Sequence, residues 1–231
     1  MRTIELKAYE FKELSDEAKE KVLEKYRTWN VNDSWWYEPT MDYWKEKLEK
    51  LGFSDAEIHF SGFWSQGDGA CFNGNVDAET FAKTRDYNAA EIELIQRADP
   101  QYKIVTVNHH YCHYNTRDVQ FDCFGGSGPD AVEELQRAIE APREELPLLI
   151  GSLEDEDAVG LLETRLKSGT DIRPNFFTEL EEDMEAAREE LSKEIYSDLE
   201  KEYDYQTSDE AIIESLEAND MEFDEDGDDI K

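Results

Sequence analysis

The spacing of apolar residues in the first quarter of the chain predicts a strand followed by two helices. Ile4, Leu6 and Ala8 alternate with polar residues, which is typical of a half-buried strand. A helix is expected to begin after Ser15, a favourable N-cap residue, because apolar side chains then recur every three or four positions. The same spacing predicts a second helix that ends at Gly52, since glycine is common just past a helix C-terminus.

Alternating apolar and polar residues then predict two antiparallel hairpins. The predicted strands comprise residues 58–64, 70–76, 103–114 and 117–124. A glycine turn at 66–69 joins the first pair. A two-residue turn at Asn115 and Thr116 is expected to join the second pair.

The second half of the chain has helical spacing and a polar outer face. Apolar residues at steps of three and four predict a long amphipathic helix over residues 177–204. A shorter helix is expected to follow the N-cap Ser208. These patterns predict an α+β fold of about five strands packed with N-terminal helices, then a long acidic helix and a short C-terminal helix. We expect a body over residues 1–128 and an acidic, mainly helical half over residues 129–231.

Charge is the most unusual property of the chain and restricts its partners. The 231 residues include 58 acidic and 24 basic side chains, a formal net charge of −34, and residues 131–231 alone carry a net −25. Hydrophobic residues still make up 39%, enough to build a core. Such charge disfavours direct binding to nucleic acid or to an anionic membrane and favours a basic partner.

Several features predict an intracellular protein. The sequence has no apolar run of the roughly 20 residues that a membrane helix requires. Its start, MRTIELKAYEF, reaches an acidic residue by Glu5 and has no apolar stretch of signal-peptide length. The three cysteines are widely spaced, which suits a reducing compartment.

The segment with the most metal-binding side chains lies in the second hairpin. With a turn at Asn115 and Thr116, His113 would lie opposite Asp118, and His109 opposite Asp122, on one face of the sheet. Two imidazoles and two carboxylates could hold a divalent metal, or they could be ordinary cross-strand pairs on a polar face. No catalytic constellation or nucleotide fingerprint stands out elsewhere, so we expect neither an enzyme nor a cofactor. A small metal-dependent enzyme that uses this face is an alternative.

Acidic runs and exposed aromatic residues are the predicted partner-binding elements. An acid run is either a solvated surface or a surface that binds a basic partner, and self-repulsion at this charge density favours the second interpretation. The predicted set comprises Glu181, Glu182, Glu185, Glu189, Glu190, Glu194, Asp198 and Glu202 on the long helix, Asp224, Glu225 and Asp226 in the tail, and the pair Trp35 and Trp36.

Several separated motifs resemble a family of bacteriophage proteins. They are FKELSDEAK at 11–19, the Trp35–Trp36 pair, FSGFWSQGDGACF at 60–72, LEKEYDY at 199–205 and ANDMEF at 218–223. Members of that family are often labelled "antitoxin of toxin–antitoxin stability system". The resemblance implies a phage origin and action in the cytoplasm of a bacterial host. It supplies no catalytic residues.

These observations lead to one favoured function and two alternatives. We expect a phage accessory protein for host takeover or anti-defence, an acidic mimic of nucleic acid that blocks a basic surface of a host nucleic-acid-binding protein. A nuclease, a restriction or CRISPR component, or a transcription factor would fit. The alternatives are an antitoxin-like neutraliser of a specific toxin and the metal-dependent enzyme.

Overall fold

A computed structural model describes residues 7–108, 111–125, 141, 144–151, 159–160, 162–163, 166 and 176–230. Seven α-helices have bounds within these residues: α1 Asp16–Tyr26, α2 Glu38–Lys50, α3 Ala78–Lys83, α4 Ala89–Ala98, α5 Leu146–Ile150, α6 Phe176–Gln206 and α7 Asp209–Ala218. The strands are β1 Tyr9–Glu10, β2 Phe53–Phe60, β3 Ala70–Asp77, β4 Pro100–Thr106, β5 Arg117–Phe124 and β6 Glu222–Phe223. The predicted α+β fold is confirmed, including the long helix and the short C-terminal helix.

The first compact unit joins the two ends of the chain, residues 1–42 and 197–231. In it, β1 pairs antiparallel with β6, with Tyr9 opposite Phe223. The hydroxyls of Ser15 and Ser208 each accept a hydrogen bond from a backbone N–H at a helix start, as predicted. The buried core of this unit consists of Phe11, Leu14, Ala18, Val22, Ile212, Leu216 and Phe223.

The second unit, residues 43–196, is built on a four-stranded antiparallel sheet of order β2-β3-β4-β5. The predicted first hairpin forms, with Phe60 opposite Ala70, but its first strand spans Phe53–Phe60 and not the predicted residues 58–64. The ring of Phe53 packs edge-on against those of Phe72 and Phe81, at centroid distances of 5.6 and 5.7 Å. At Gly52 the backbone has a φ of +93°, and a Cβ would lie 2.7 Å from the Phe81 nitrogen, so only glycine fits there.

The second hairpin differs from the prediction. Strand β4 ends at Thr106, which lies opposite Arg117, and the predicted strand over residues 107–114 does not form in the described part of that range. Residues Tyr114–Thr116 instead form a short 3₁₀ helix. His113 caps this helix: its Nδ1 accepts a hydrogen bond from the Asn115 N–H at 3.4 Å. A local cap therefore replaces the expected two-residue turn, and the pairing register shifts with it.

The two units also divide the chain differently from the predicted boundary at residues 128 and 129. Pairing of β1 with β6, and packing of α1 on α7, hold the N- and C-terminal segments in one unit. Helices α2 and α6 each contribute residues to both units. The predicted strand residues Ile4 and Leu6 lie outside the described residues, as does position 128 itself. Among the described helices, none is both long and apolar enough to cross a membrane.

Candidate functional site

Most carboxylates of the predicted row on α6 bind basic side chains of their own unit or stand exposed. Glu189 binds Lys193 at 2.5 Å. Glu194 binds Lys47 at 3.1 Å, and the Lys47 ammonium lies 3.9 Å from the centre of the Trp44 ring. Further along the helix, Asp198 binds Lys201 at 2.8 Å. Glu182 and Glu190 are exposed. Helical spacing alone could not separate paired carboxylates from open ones.

Glu185 does not belong to an outward row, contrary to the prediction. Its Oε2 accepts hydrogen bonds from the Val119 N–H of β5 at 3.0 Å and from Nε of Arg188 at 2.9 Å. The Arg188 side chain is 1% exposed, and its Nη1 donates to the Tyr114 carbonyl at 2.6 Å. Glu185 therefore neutralises a buried guanidinium and binds the edge of the sheet, which is a structural role.

Glu181 is half-buried on the same side of α6. Burial raises the pKa of its carboxyl, and the nearby carboxylates of Asp118 and Glu185 raise it further. Part of the predicted acid row thus faces β5 rather than a partner. Asp118 therefore lies near the Glu181 carboxylate and not opposite the predicted imidazole of His113.

The predicted pair of His113 and Asp118 does not form, and the predicted pair of His109 and Asp122 falls partly outside the described residues. Asp118 lies opposite Val105 in the observed register, and Asp122 binds Lys103 at 2.6 Å. His113 lies beyond the end of β4, where it caps the 3₁₀ helix. His109 lies outside the described residues. No group of three or more histidine, cysteine or acidic side chains within the described ranges could hold a metal ion.

The acidic tail folds back onto α1 within the first unit. Lys21 binds Asp228 at 3.0 Å, and Lys25 binds Asp229 at 2.9 Å. The carboxylate of Asp224 accepts the backbone N–H groups of residues 226 and 228, which closes a turn. Of the three predicted tail residues, Asp224 thus holds the turn, whereas Glu225 and Asp226 are exposed.

The two adjacent tryptophans occupy different environments. Trp35 is 75% exposed. The Trp36 ring packs edge-on against Tyr37 and Tyr203, with centroids 5.2 and 5.6 Å away. Trp35 is therefore the member of the pair that a partner could contact.

A cluster around Tyr205 combines an exposed aromatic ring with three nearby carboxylates, of which the sequence analysis identified only Glu202. We call it the Tyr205 patch; it consists of Glu202, Tyr205, Glu210 and Glu214. Tyr205 is 48% exposed. The Glu214 carboxylate raises the pKa of its hydroxyl, with smaller contributions from desolvation and from Glu210 and Glu202. The sequence feature that could have identified this cluster is Tyr205, an aromatic residue that lies off the apolar stripe of α6 and within an acidic run.

The first unit keeps a large negative charge after its own ion pairs are formed. Its sequence contains 25 acidic and 9 basic residues, a net −16 over 77 residues. Within its described part, five basic side chains bind acids of the same unit: Lys12 to Glu10, Lys21 to Asp228, Lys25 to Asp229, Arg27 to Asp209 and Lys201 to Asp198. These cations are therefore already bound, and the remaining carboxylates dominate the surface.

Comparison with known proteins identifies a family but no characterised relative. No curated protein and no solved structure matches the chain. A family model described as "Domain of unknown function (DUF8835)" matches residues 36–209. That match covers about three quarters of the 231 residues, including α2, the four-stranded sheet and α6. The chain belongs to the DUF8835 family.

Proposed function

We propose that this protein binds a basic surface of a nucleic-acid-binding protein through the acidic surface of its first unit. The observation that carries the proposal is the Tyr205 patch. Tyr205 is an exposed aromatic ring whose hydroxyl feels the charge of three nearby carboxylates, and aromatic residues are frequent energetic anchors in interfaces. A cationic side chain that approached Tyr205 would gain both from the ring face and from the nearby carboxylates.

Net charge restricts the partner to a basic protein. A unit of net −16 repels nucleic acid and anionic lipid, and it attracts a positively charged surface from a distance. Basic patches on proteins are characteristic of surfaces that bind nucleic acid. The carboxylates would take the place of phosphates, and the partner would then be unable to hold its own nucleic acid.

The bacteriophage resemblance gives this binding a biological setting. It suggests a host target such as a nuclease, a restriction or CRISPR component, or a transcription factor. Action in the host cytoplasm belongs to the same proposal. Neither the phage setting nor the identity of the target is needed for the physical argument above.

The test combines capture, competition and matched variants. The full chain is used as bait in a bacterial lysate, and each captured protein is purified and titrated with duplex DNA as competitor. We expect DNA and this protein to exclude each other, with affinity that falls steeply between about 50 mM and about 300 mM salt because the interacting charges are screened. The proposal fails if captured proteins bind DNA and this protein together, or if affinity does not depend on salt.

Two double variants with equal charge loss locate the interface. Glu210→Gln with Glu214→Gln should slow association about tenfold at low salt, since both carboxylates belong to the Tyr205 patch. Glu182→Gln with Glu190→Gln removes two exposed carboxylates of α6 and should leave association within about twofold of the wild type. If the two variants had equal effects, net charge alone would drive the binding, and the role of the Tyr205 patch would be overturned.

A further inference from the structure

A groove with an apolar floor lies in the first unit, beside the paired strands β1 and β6. Its volume is about 500 Å³, within the range of ligand-binding clefts. Residues from the start of the chain and from the connection between α7 and β6 line it: Glu10, Phe11, Lys12, Leu216, Glu217, Asp220, Met221 and Glu222. We call it the β1–β6 groove.

The floor of the groove is apolar and belongs to the core of the unit. Phe11 and Leu216 are buried there, at 7% and 1% exposure, and Met221 is half-buried against the same cluster. Of these three side chains, Met221 keeps the most exposed surface, so a hydrocarbon chain laid across the floor would mainly cover Met221.

The rim of the groove carries an excess of carboxylates. Glu10, Glu217, Asp220 and Glu222 surround it, against the single ammonium of Lys12, which binds Glu10 at 2.5 Å. Glu10 and Glu222 lie directly opposite each other in the pairing of β1 with β6. Like charges in directly opposed positions destabilise a strand pair. Lys12 offsets the charge of Glu10, so a further bound cation would relieve the repulsion that this ion pair leaves around Glu222.

We propose that the β1–β6 groove holds an arginine side chain of the basic protein that this unit binds. The inference rests on the proposed function and names one of its contacts. An arginine fits both parts of the groove, since its aliphatic stem would lie on the apolar floor. Its guanidinium can bind two carboxylate oxygens at once. Lysine offers a point charge without that geometry, and a metal ion gains nothing from an apolar floor.

The methionines of the chain make binding in the groove directly measurable. The chain has four methionines, and Met221 lines the groove, whereas Met41 and Met184 are buried in cores. Isotope-labelled methionine methyl groups are recorded by NMR on the full chain, with Met221→Leu to assign its signal. A short peptide that alternates arginine and glycine is the probe, and the same peptide with lysine is the control.

We expect the arginine peptide to shift the Met221 methyl signal in a saturable way and to leave Met41 and Met184 unmoved. The lysine peptide should bind at least about threefold more weakly. Glu222→Gln should weaken the arginine peptide about threefold, while its unfolding temperature stays equal to or above that of the wild type, because the like-charge pair is removed. An unmoved Met221 signal, or equal affinity for the two peptides, would overturn the assignment.

The outcomes separate this inference from the proposed function. If Met221 responds to arginine but no captured partner competes with DNA, the groove binds arginine and the proposed function is wrong. If a captured partner competes with DNA and depends on salt, yet Glu222→Gln leaves its affinity unchanged, the proposed function stands and the groove assignment is wrong.

Discussion

Replacing Glu185 by alanine removes the carboxylate that serves two buried donors in the second unit. The guanidinium of Arg188, which is 1% exposed, would lose its ion pair, and the Val119 N–H would lose its acceptor. Arg188 would retain the hydrogen bond that its Nη1 donates to the Tyr114 carbonyl. The alanine variant therefore leaves a buried charge uncompensated.

The expected decrease in the free energy of unfolding follows from the burial of Glu185 and Arg188. Breaking a buried ion pair by removing one partner costs about 3–5 kcal/mol. Because the Glu185 side chain is 33% exposed, water can replace part of the lost interaction, and we take the low end, about 3 kcal/mol. The lost hydrogen bond of Val119 adds about 1 kcal/mol. A total of about 4 kcal/mol is a large share of the 5–15 kcal/mol typical of folded domains.

Urea unfolding of the full chain, followed by tryptophan fluorescence, measures this cost. Glu182→Ala is the matched control on the same helix, since Glu182 is exposed and its loss should change stability by less than about 0.5 kcal/mol. Glu185→Leu combined with Arg188→Met should recover most of the stability, because an apolar pair leaves no buried charge. If Glu185→Ala were as stable as Glu182→Ala, the carboxylate would point outward and the assignment of a structural role would be refuted.

Three further predictions concern stability. Phe223→Ala should lower the free energy of unfolding in urea by about 3–5 kcal/mol, because Phe223 is fully buried. The control Glu225→Ala should lower it by less than about 0.5 kcal/mol, because Glu225 is exposed. Equal effects would contradict the placement of Phe223 in the core of the first unit. Burial raises the pKa of Glu181 above 4.5, so wild-type stability falls as pH rises through the interval between the unfolded and folded values. Glu181→Gln should therefore gain stability relative to the wild type across that interval, and a flat difference would contradict the pKa shift. Burial, and then the hydrogen bond to Asp229, raise the pKa of Tyr26 from 10.0 to about 12, so the wild type should lose stability as pH rises from 10 towards 12. Tyr26→Phe should show a smaller loss than the wild type in thermal unfolding at high pH, and an identical pH profile would show that Tyr26 contributes none of it.

Elements that depend on local signals were predictable from the sequence. Ser15 and Ser208 lie at helix starts because their hydroxyls accept hydrogen bonds from backbone N–H groups within three residues. Gly52 ends α2 because the chain turns there with a positive φ. Alternation on both sides of a glycine turn predicted the first hairpin, although its first strand lies earlier, at Phe53–Phe60. Each of these helix ends and turns is determined by residues that are close together in the sequence.

The predicted outward orientation of Glu185 was wrong, because a distant contact decides which way its side chain points. Arg188 lies four residues after the buried Met184 and four before the buried Ser192, so the buried face of α6 includes a charge. A charge in such a position requires a partner, and Glu185, three residues earlier, is the nearest acid on that side of the helix. Spacing could have predicted the pair. It could not predict that the same carboxylate also binds β5, since that contact spans 66 residues.

The distribution of the carboxylates supports the proposed binding surface over a surface that serves only solubility. If the carboxylates served only solubility, the folded state would be more stable with like charges far apart, because self-repulsion weakens it. The first unit instead places Glu10 opposite Glu222 at a groove with an apolar floor, and three carboxylates lie close enough to Tyr205 to raise the pKa of its hydroxyl. Crowding of this kind costs stability in the isolated protein and is relieved when a cation binds. Both crowded sites lie beside apolar or aromatic surface, where a basic side chain could bury its hydrocarbon part as well as neutralise charge.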